Sequence, residues 1–241
     1  MDFQGRTVIL TGVGRAGQVG EVVARAFVDR GARIALLDRD EPEVRARASG
    51  LAAGGASATA YPCDLTDAAA VERAAAQVAA DAGGRAHALV NVAGGFAMSG
   101  PAGDADLAVL HRMLAINLVT AYAATRYFLP LLRAGAGDAG DAAVVYFASA
   151  AVLPGESAPD MSAYAAAKSG VLAVMRAVAA EERARGVRAN AVAPTSIRTG
   201  DNLKAMGEGV RYVERESVAD VVTWLCSPAA RNVSGEVFRL E

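Results

Sequence analysis

The stretch that decides the fold is "TGVGRAGQVG", residues 11–20, which joins a strand-like run to a helix-like run. "RTVILTG" (6–12) is β-branched and apolar, and "GEVVARAFVDRG" (20–31) has helical periodicity. Gly12, Gly14 and Gly17 between them satisfy the pattern G-x-G-x-x-G. Such glycines permit a tight turn and let the backbone approach a pyrophosphate at the helix N-terminus. The stretch therefore predicts a dinucleotide-binding turn, although a purely structural turn would read the same in a chain with 25 glycines.

Strand-like and helix-like segments alternate along the rest of the chain. Further strands are predicted at 32–38, 57–64, 87–95, 141–149, 187–194 and 236–240, and further helices at 67–84, 106–133, 161–186 and 217–227. Apolar runs without polar alternation suit strands that are covered on both faces, and the alternating order implies right-handed crossovers. We therefore expect an α/β fold: a single domain, 1–241, with a doubly wound parallel sheet of about seven strands and helices on both faces. "AGAGDAGD" (134–141) is predicted to be a surface loop.

Composition narrows the classes of function. The net charge of −2 and the lack of a basic run give no sign of nucleic-acid binding. Cys63 and Cys226 are too far apart in sequence for a metal motif or a disulfide framework, which fits a reducing compartment. The first residues lack the pattern of a signal peptide, and no apolar run approaches the roughly 20 residues that span a bilayer. We expect a cytoplasmic protein with no membrane partner and no metal.

Polar residues follow the second, third and fourth predicted strands, at the edge where a doubly wound sheet binds ligands. Asp38 ends the second strand, where a carboxylate can accept from ribose hydroxyls and repel a 2′-phosphate. This favours NAD, but Arg15 and Arg39 could reach a 2′-phosphate and leave NADP open. Asp64 could accept from an adenine amino group, and Asn91 could fix the backbone beside the adenosine. Each of these residues is also a common turn or surface residue.

Tyr164 and Lys168 in "SAYAAAKSG" (162–170) form the most specific pair in the chain. Four residues apart on a helix, they lie on one face. Six tyrosines and two lysines in 241 residues would give only about 0.05 such pairs by chance at this i, i+4 spacing. A nearby cation favours a phenolate, so this pair is typical of a proton-transfer site. Tethering on a helix surface is the structural alternative.

Two further polar residues are candidates for the same site. Ser149 follows the strand "VVYFAS" and could hydrogen-bond a substrate carbonyl, or merely cap a loop. Asn117 is unfavourable in the middle of a predicted helix and could bind a backbone group or an ordered water. His87 and His111 have no partner spacing and are interpreted as structural.

Together these motifs resemble the short-chain dehydrogenase/reductase family over about residues 7–235. The resemblance rests on the glycine motif, "CDL" (63–65), "NVAG" (91–94), Asn117, Ser149, "YAAAK" (164–168) and "NAVAP" (190–194). It implies a Rossmann-type fold and hydride transfer between nicotinamide and a carbinol carbon. Tyr164 would be the general acid/base, Lys168 would lower its pKa and hold the ribose, Ser149 would orient the substrate oxygen, and Asn117 would anchor a water in a proton relay.

The resemblance also completes a set of cofactor-binding residues. This set comprises Gly12, Gly14, Arg15, Gly17, Val19, Asp38, Asp64, Leu65, Asn91, Ala93, Gly94, Tyr164, Lys168, Pro194, Ile197 and Thr199. Homodimers or homotetramers formed through the helices at 106–133 and 161–186 are expected, since they are common in the family.

Several departures from the family pattern affect these expectations. The glycine stretch matches only if two residues are inserted, with Gly12 and Gly20 as the first and last glycines. Val92, Ala148 and Thr195 replace the usual Asn, Ser and Gly. The substrate lid, at about 200–215, is short, which predicts an open site for a bulky or carrier-bound substrate, or weak activity.

Two classes of function follow. The first is an NAD(P)-dependent oxidoreductase of secondary alcohols and ketones, with 3-oxoacyl reductases as the nearest analogy. The second is a dinucleotide-binding sensor or scaffold with little catalysis. The short C-terminal region disfavours sugar-nucleotide epimerases, and the close Tyr164–Lys168 spacing disfavours enoyl reductases. The residues expected around the substrate do not identify it. They are Phe96, Met98, Val152, Met161, Ser196 and the segment 200–215.

Overall fold

The chain forms one parallel sheet of seven strands in a computed structural model that describes residues 3–137 and 141–241. The strands are β1 (Thr7–Thr11), β2 (Arg33–Asp38), β3 (Ala58–Pro62), β4 (Ala88–Asn91), β5 (Ala142–Phe147), β6 (Val187–Pro194) and β9 (Val237–Leu240), with β7 (Ser196–Ile197) and β8 (Tyr212–Val213) pairing separately. The spatial order is β3-β2-β1-β4-β5-β6-β9, and every pairing is parallel. The predicted α/β sheet of seven strands is confirmed.

Helices cover both faces of this sheet. They are α1 (Val19–Val28), α2 (Glu41–Ala52), α3 (Ala68–Asp81), α4 (Leu107–Met113), α5 (Thr120–Ala136), α6 (Ser162–Glu182), α7 (Gly200–Met206) and α8 (Arg215–Cys226). One apolar core lies between the sheet and α1, α2 and α8, and the other between the sheet and α3, α5 and α6. Both faces of the central strands are therefore dry, which explains their continuous apolar sequences.

The strand order reverses between β1 and β4, and the carboxyl ends of these two strands meet there. Gly12 follows β1 with a φ of +71°, and a Cβ on it would lie 2.5 Å from the backbone of Ala93. A Cβ on Gly20 would lie 2.5 Å from the Gly12 carbonyl oxygen. Gly20, rather than Gly17, is thus the glycine that lets α1 pack closely against the turn, as the family spacing implies.

The helix predicted over 106–133 is three segments. α4 is followed by a π-helical segment, Leu114–Val119, and then by α5, which continues to Ala136. The prediction of a loop over 134–141 was therefore wrong for residues 134–136, which belong to α5. Residues 138–140 of that stretch lie outside the described part of the chain.

Helix α2 was not predicted. Its charged sequence "EPEVRARASGLA" buries only Val44, Ala48 and Leu51, so its apolar stripe is narrow. The signals that mark its start were present: Asp40 accepts a hydrogen bond from the Glu43 amide as the N-cap, and Pro42 lies in the first turn.

Two helical stretches, Leu107–Ala136 and Ser162–Arg185, are long and apolar enough to cross a membrane by length and composition alone. The sequence analysis found no such run, because isolated charges interrupt both. Here the two stretches pack on the same face of the sheet, where α5 and α6 contribute Phe128, Leu132 and Met175 to the core.

A buried ion pair joins the far ends of α5 and α6. Glu182 is 2% exposed and accepts from the Arg133 guanidinium at 2.8 and 2.6 Å, with Arg185 at 3.3 Å. The hydrogen bonds from Arg133 hold the pKa of Glu182 below its usual value, against the opposing effect of burial. The pair therefore stabilises the fold where Glu182 is ionised, and this stability is lost as the pH falls through the lowered pKa.

Replacing Glu182 by Gln should destabilise the protein by about 1–3 kcal/mol at pH 7, because a charge-assisted bidentate contact is lost. The difference from the wild type should shrink as the pH is lowered below about 4. Thermal unfolding measured at pH 7 and at acidic pH tests this. Glu181→Gln, at the exposed neighbouring position, should change little; an equal loss in both variants would contradict the assignment.

Candidate active site

Ser149, Tyr164 and Lys168 come together at the carboxyl edge of the sheet. Tyr164 and Lys168 lie in the first two turns of α6. Ser149 lies two residues beyond the end of β5, where its hydroxyl accepts a hydrogen bond from the Ala151 amide at 3.3 Å and starts a short 3₁₀ turn. The three predicted side chains therefore belong to one site, held by a strand end and the helix that follows it.

Lys168 is fixed by a single buried hydrogen bond. Its ammonium donates to the Phe147 carbonyl oxygen at 2.7 Å, and its Nζ lies 5.8 Å from the centre of the Tyr164 ring. The side chain is buried, and this burial lowers the pKa of Lys168 to about 8. An ammonium has three donors, so two remain for other partners such as ribose hydroxyls.

The pKa of Tyr164 differs from the expectation. Burial raises it above the ordinary value of a phenol, and the neighbouring Ser149 hydroxyl offsets only part of that rise. The expected lowering by Lys168 is not found, since the ammonium donates to the Phe147 carbonyl oxygen. Ser149 is the group that favours the phenolate here.

Asn117 serves as a clamp on the chain after β4. Its Oδ1 accepts from the Gly95 amide at 3.1 Å, and its Nδ2 donates to the carbonyl oxygens of Gly95 and Met113, both at 3.0 Å. The side chain is buried within the π-helical segment, a distortion often found at functional sites. Both N–H donors of the Asn117 side chain are used in these bonds. Of the two partners considered from the sequence, a backbone group or an ordered water, the side-chain amide therefore binds the backbone.

A cleft of about 420 Å³ opens beside the glycine turn. Of the predicted cofactor residues, it is lined by Gly12, Arg15, Asp38, Asp64, Leu65, Ala93 and Gly94. It is bordered by the backbone of two glycine turns and by carboxylates, which are acceptors for ribose and adenine donors. Within the described residues, both polar atoms of the buried Asn91 amide lack a hydrogen-bond partner. These features fit the adenosine half of a nicotinamide dinucleotide.

Asp38 and Asp64 are both fixed by the backbone. Asp38 accepts from the amides of Gly14 at 2.8 Å and Asp40 at 3.2 Å. Asp64 accepts from the amide and hydroxyl of Thr66, and these bonds hold the pKa of its carboxyl below the usual range. A carboxylate has about four lone-pair positions, so each retains capacity for a ligand.

Sequence reasoning missed two other carboxylates at the glycine turn. Glu21, in the first turn of α1, accepts from the Gly17 amide at 2.7 Å and is held by Arg47 at 2.8 Å. Asp201, in α7, accepts from Arg15 at 2.9 Å and Gln18 at 3.1 Å. Glu21 could have been identified from the sequence, because an acidic residue just after a glycine motif is a visible signal. Asp201 could not, because only the fold brings it to the glycine turn.

The remaining predicted residues lie around the glycine-turn cleft and the site formed by Ser149, Tyr164 and Lys168. Val19 is the first residue of α1, and Pro194 ends β6. Ile197 lies in β7, and the Thr199 hydroxyl accepts from the Asn202 amide as the N-cap of α7. His87 is on the opposite edge, where its Nδ1 accepts from the Thr7 amide at 3.3 Å.

Comparisons with known proteins agree with this geometry. A sequence family described as "Enoyl-(Acyl carrier protein) reductase" matches residues 12–240. The D-threitol dehydrogenase of Mycolicibacterium smegmatis is 34% identical, over 97% of this chain and 91% of its own. The 2-(S)-hydroxypropyl-CoM dehydrogenase 3 of Xanthobacter autotrophicus is 33% identical, over 99% and 96%. The crystal structure of a short chain dehydrogenase from Mycobacterium smegmatis superposes with a TM-score of 0.85 at 30% identity, covering 100% of this chain and 93% of the other.

Replacing Lys168 by Met should abolish turnover and change how stability depends on pH. Because the folded-state pKa is about 8 and the unfolded value about 10.4, the unfolded wild type binds more protons between these values. Wild-type stability should therefore rise relative to the variant by up to about 1.4 kcal/mol per pH unit above pH 8.

Unfolding of both proteins measured from pH 7 to pH 10 tests this prediction. Lys204→Met, at an exposed position, serves as the control and should show no such trend. Parallel stability curves for Lys168→Met and the wild type would contradict the buried charge.

Proposed function

Because this chain belongs to the short-chain dehydrogenase/reductase family and is an oxidoreductase of alcohol and carbonyl groups, we propose that it interconverts a secondary alcohol and its ketone with NAD. The observation that carries the proposal is the meeting of Ser149, Tyr164 and Lys168 beside the dinucleotide cleft. A serine hydroxyl, a phenol and an ammonium are the groups that this chemistry needs at the reacting oxygen.

Each residue has a distinct role in this proposal. Nicotinamide supplies the hydride acceptor or donor when it is bound. The Tyr164 phenolate takes the hydroxyl proton during oxidation, and the phenol gives it back to the substrate oxygen during reduction. The Ser149 hydroxyl favours the phenolate in the free chain and turns its single O–H donor to the substrate oxygen when the substrate binds. The Lys168 ammonium, held by Phe147, has donors left for the cofactor ribose.

Two features support NAD rather than NADP. The Asp38 carboxylate is fixed at the glycine turn by the Gly14 amide, where a 2′-phosphate would meet a negative charge. Arg15, one of the two residues that could offset that charge, is paired with Asp201. Arg39 lines the same cleft and is the residue that would favour NADP.

A 3-oxoacyl reductase activity is a narrower form of the same proposal. Its support is the short lid segment 200–215 and the acyl carrier protein in the matched family description, although enoyl reduction, the reaction named there, is disfavoured by the close Tyr164–Lys168 spacing. The relatives described above are named for the oxidation of small alcohols, so a free small-molecule substrate is the broader proposal.

One observation favours the second candidate, a dinucleotide-binding sensor with little catalysis. The backbone amide of Gly17, in the glycine turn, already donates a hydrogen bond to the Glu21 carboxylate. A negative charge at this helix N-terminus weakens the site for a pyrophosphate. Turnover of any alcohol or ketone at a rate typical of an enzyme would dispose of this candidate.

We also propose a cytoplasmic homo-oligomer, a dimer or tetramer. Leu107, Val119 and Tyr122 are large apolar residues that remain exposed along α4, the π-helical segment and α5. Only 28% of the most apolar part of Leu107–Ala136 is buried within the chain, so another copy can cover it. Both cysteines are buried free thiols, which suits a reducing compartment.

Replacing Tyr164 by Phe should reduce turnover by at least about a hundredfold while leaving NADH binding intact, since only the proton-transfer group is removed. Initial rates with a panel of secondary alcohols, together with NADH titration calorimetry, measure the two effects. Tyr122→Phe, on the exposed side of α5, is the matched control. Full activity in Tyr164→Phe would refute the mechanism.

Replacing Asp38 by Ser should weaken NADH binding and strengthen NADPH binding, because the carboxylate that repels a 2′-phosphate is gone. The ratio of the two dissociation constants, measured by calorimetry, should move at least about tenfold toward NADPH. Asp67→Asn removes a similar charge at the N-cap of α3 and should leave the ratio unchanged. An unchanged ratio in Asp38→Ser would show that Asp38 does not select the cofactor.

A further inference from the structure

Two large apolar side chains, Phe96 and Met98, are exposed in the segment that follows β4 and passes beside Tyr164. The Phe96 ring packs edge-on against the Tyr164 ring, with centroids 5.1 Å apart and an interplanar angle of 82°. Phe96 is nevertheless 56% exposed, and Met98 in the same segment is 54% exposed. Exposed apolar surface beside a reacting group marks a ligand contact more often than a random surface residue does.

The segment that carries Phe96 and Met98 is held in place at both ends. Asn117 binds both the amide and the carbonyl of Gly95. At the other end, the amides of Ser99 and Gly100 donate to the Asp160 carbonyl oxygen at 2.8 and 3.1 Å. The exposure of Phe96 and Met98 is therefore built into the fold and is not the result of a fraying loop.

The side chains that flank the catalytic residues are apolar as well. Val152 lies three residues after Ser149, and Met161 lies three residues before Tyr164, and both are half-buried. The hydroxyl of Ser196 contacts the Met206 sulfur at 3.8 Å, a weak hydrogen bond. A polyol would need hydrogen-bond partners for each hydroxyl that loses water, whereas the hydroxyls of Ser99 and Ser162 already bond each other and the Asp160 carbonyl oxygen.

We infer that the substrate is a secondary alcohol or ketone with an apolar alkyl chain or ring next to the carbinol carbon, and that Phe96 is the residue that selects it. This inference rests on the proposed function and adds a substrate class to it. An apolar arm of the substrate would cover the exposed faces of Phe96 and Met98, whereas a polyol would leave them in water.

The experiment compares kcat/KM for 2-octanol, 2-propanol and erythritol with NAD as cofactor. The first two share one reacting centre and differ only in the apolar arm. The wild type should prefer 2-octanol to 2-propanol by about a hundredfold or more, since each added methylene in an apolar site raises kcat/KM. Phe96→Ala should lower this ratio at least about tenfold, and Phe96→Leu should retain most of it.

Three controls separate specificity from structural damage. The NADH dissociation constant and the pH profile of kcat should be the same in Phe96→Ala as in the wild type, because a loss of support for Tyr164 would move the profile. Trp224→Ala removes an exposed aromatic ring on α8, on the other face of the sheet, and should leave the substrate ratio unchanged.

Three outcomes overturn the inference. A preference for erythritol over 2-octanol, or an unchanged ratio in Phe96→Ala, would overturn the substrate class and leave the proposed function standing. Absence of turnover with any alcohol or ketone by a wild type that binds NADH would overturn the proposed function, and this inference with it.

Discussion

One buried hydrogen bond, from the Lys168 ammonium to the Phe147 carbonyl, sets the geometry on which the rest of the site depends. Phe147 ends β5, so the bond fixes α6 relative to the strand end that leads to Ser149. Since Tyr164 lies one turn before Lys168, the same bond places the phenol beside the Ser149 hydroxyl. The bond thereby holds the reacting groups to each other across the connection between β5 and α6, and such a fixed arrangement is what proton transfer needs.

A second constraint is the lack of space around the turn after β4. A Cβ on Gly94 would lie 2.6 Å from the Asn117 Oδ1, and one on Gly12 would meet Ala93. The glycines therefore allow the chain segments after β1 and β4 and the π-helical segment to meet, and Asn117 then locks them by hydrogen bonds. The cleft beside the glycine turn and the side chain of Lys168 adjoin this junction, so the same contacts position both.

Short-range patterns predicted much of this structure, and features that depend on tertiary contacts were missed. The strands are apolar runs bounded by turns, and the Tyr164–Lys168 spacing places both residues on one helix face whatever surrounds it. Helix α2 was not predicted because it lies at the margin of the sheet and buries only a narrow stripe of apolar side chains. The partners of Asp201 lie more than 180 residues away, and the raised pKa of Tyr164 comes from burial, which depends on the folded chain. The roles assigned to the site residues remain predictions that the variants above address.

The contact of Asp201 with Arg15 and Gln18 connects the short lid helix to the turn that would carry the pyrophosphate. All three side chains are at the surface, so dissolved ions compete directly with this contact. Helix α7 can lift away from the turn only if both contacts break, and steps of this kind often limit the rate of an enzyme. Added salt should therefore loosen the hold of α7 on the glycine turn.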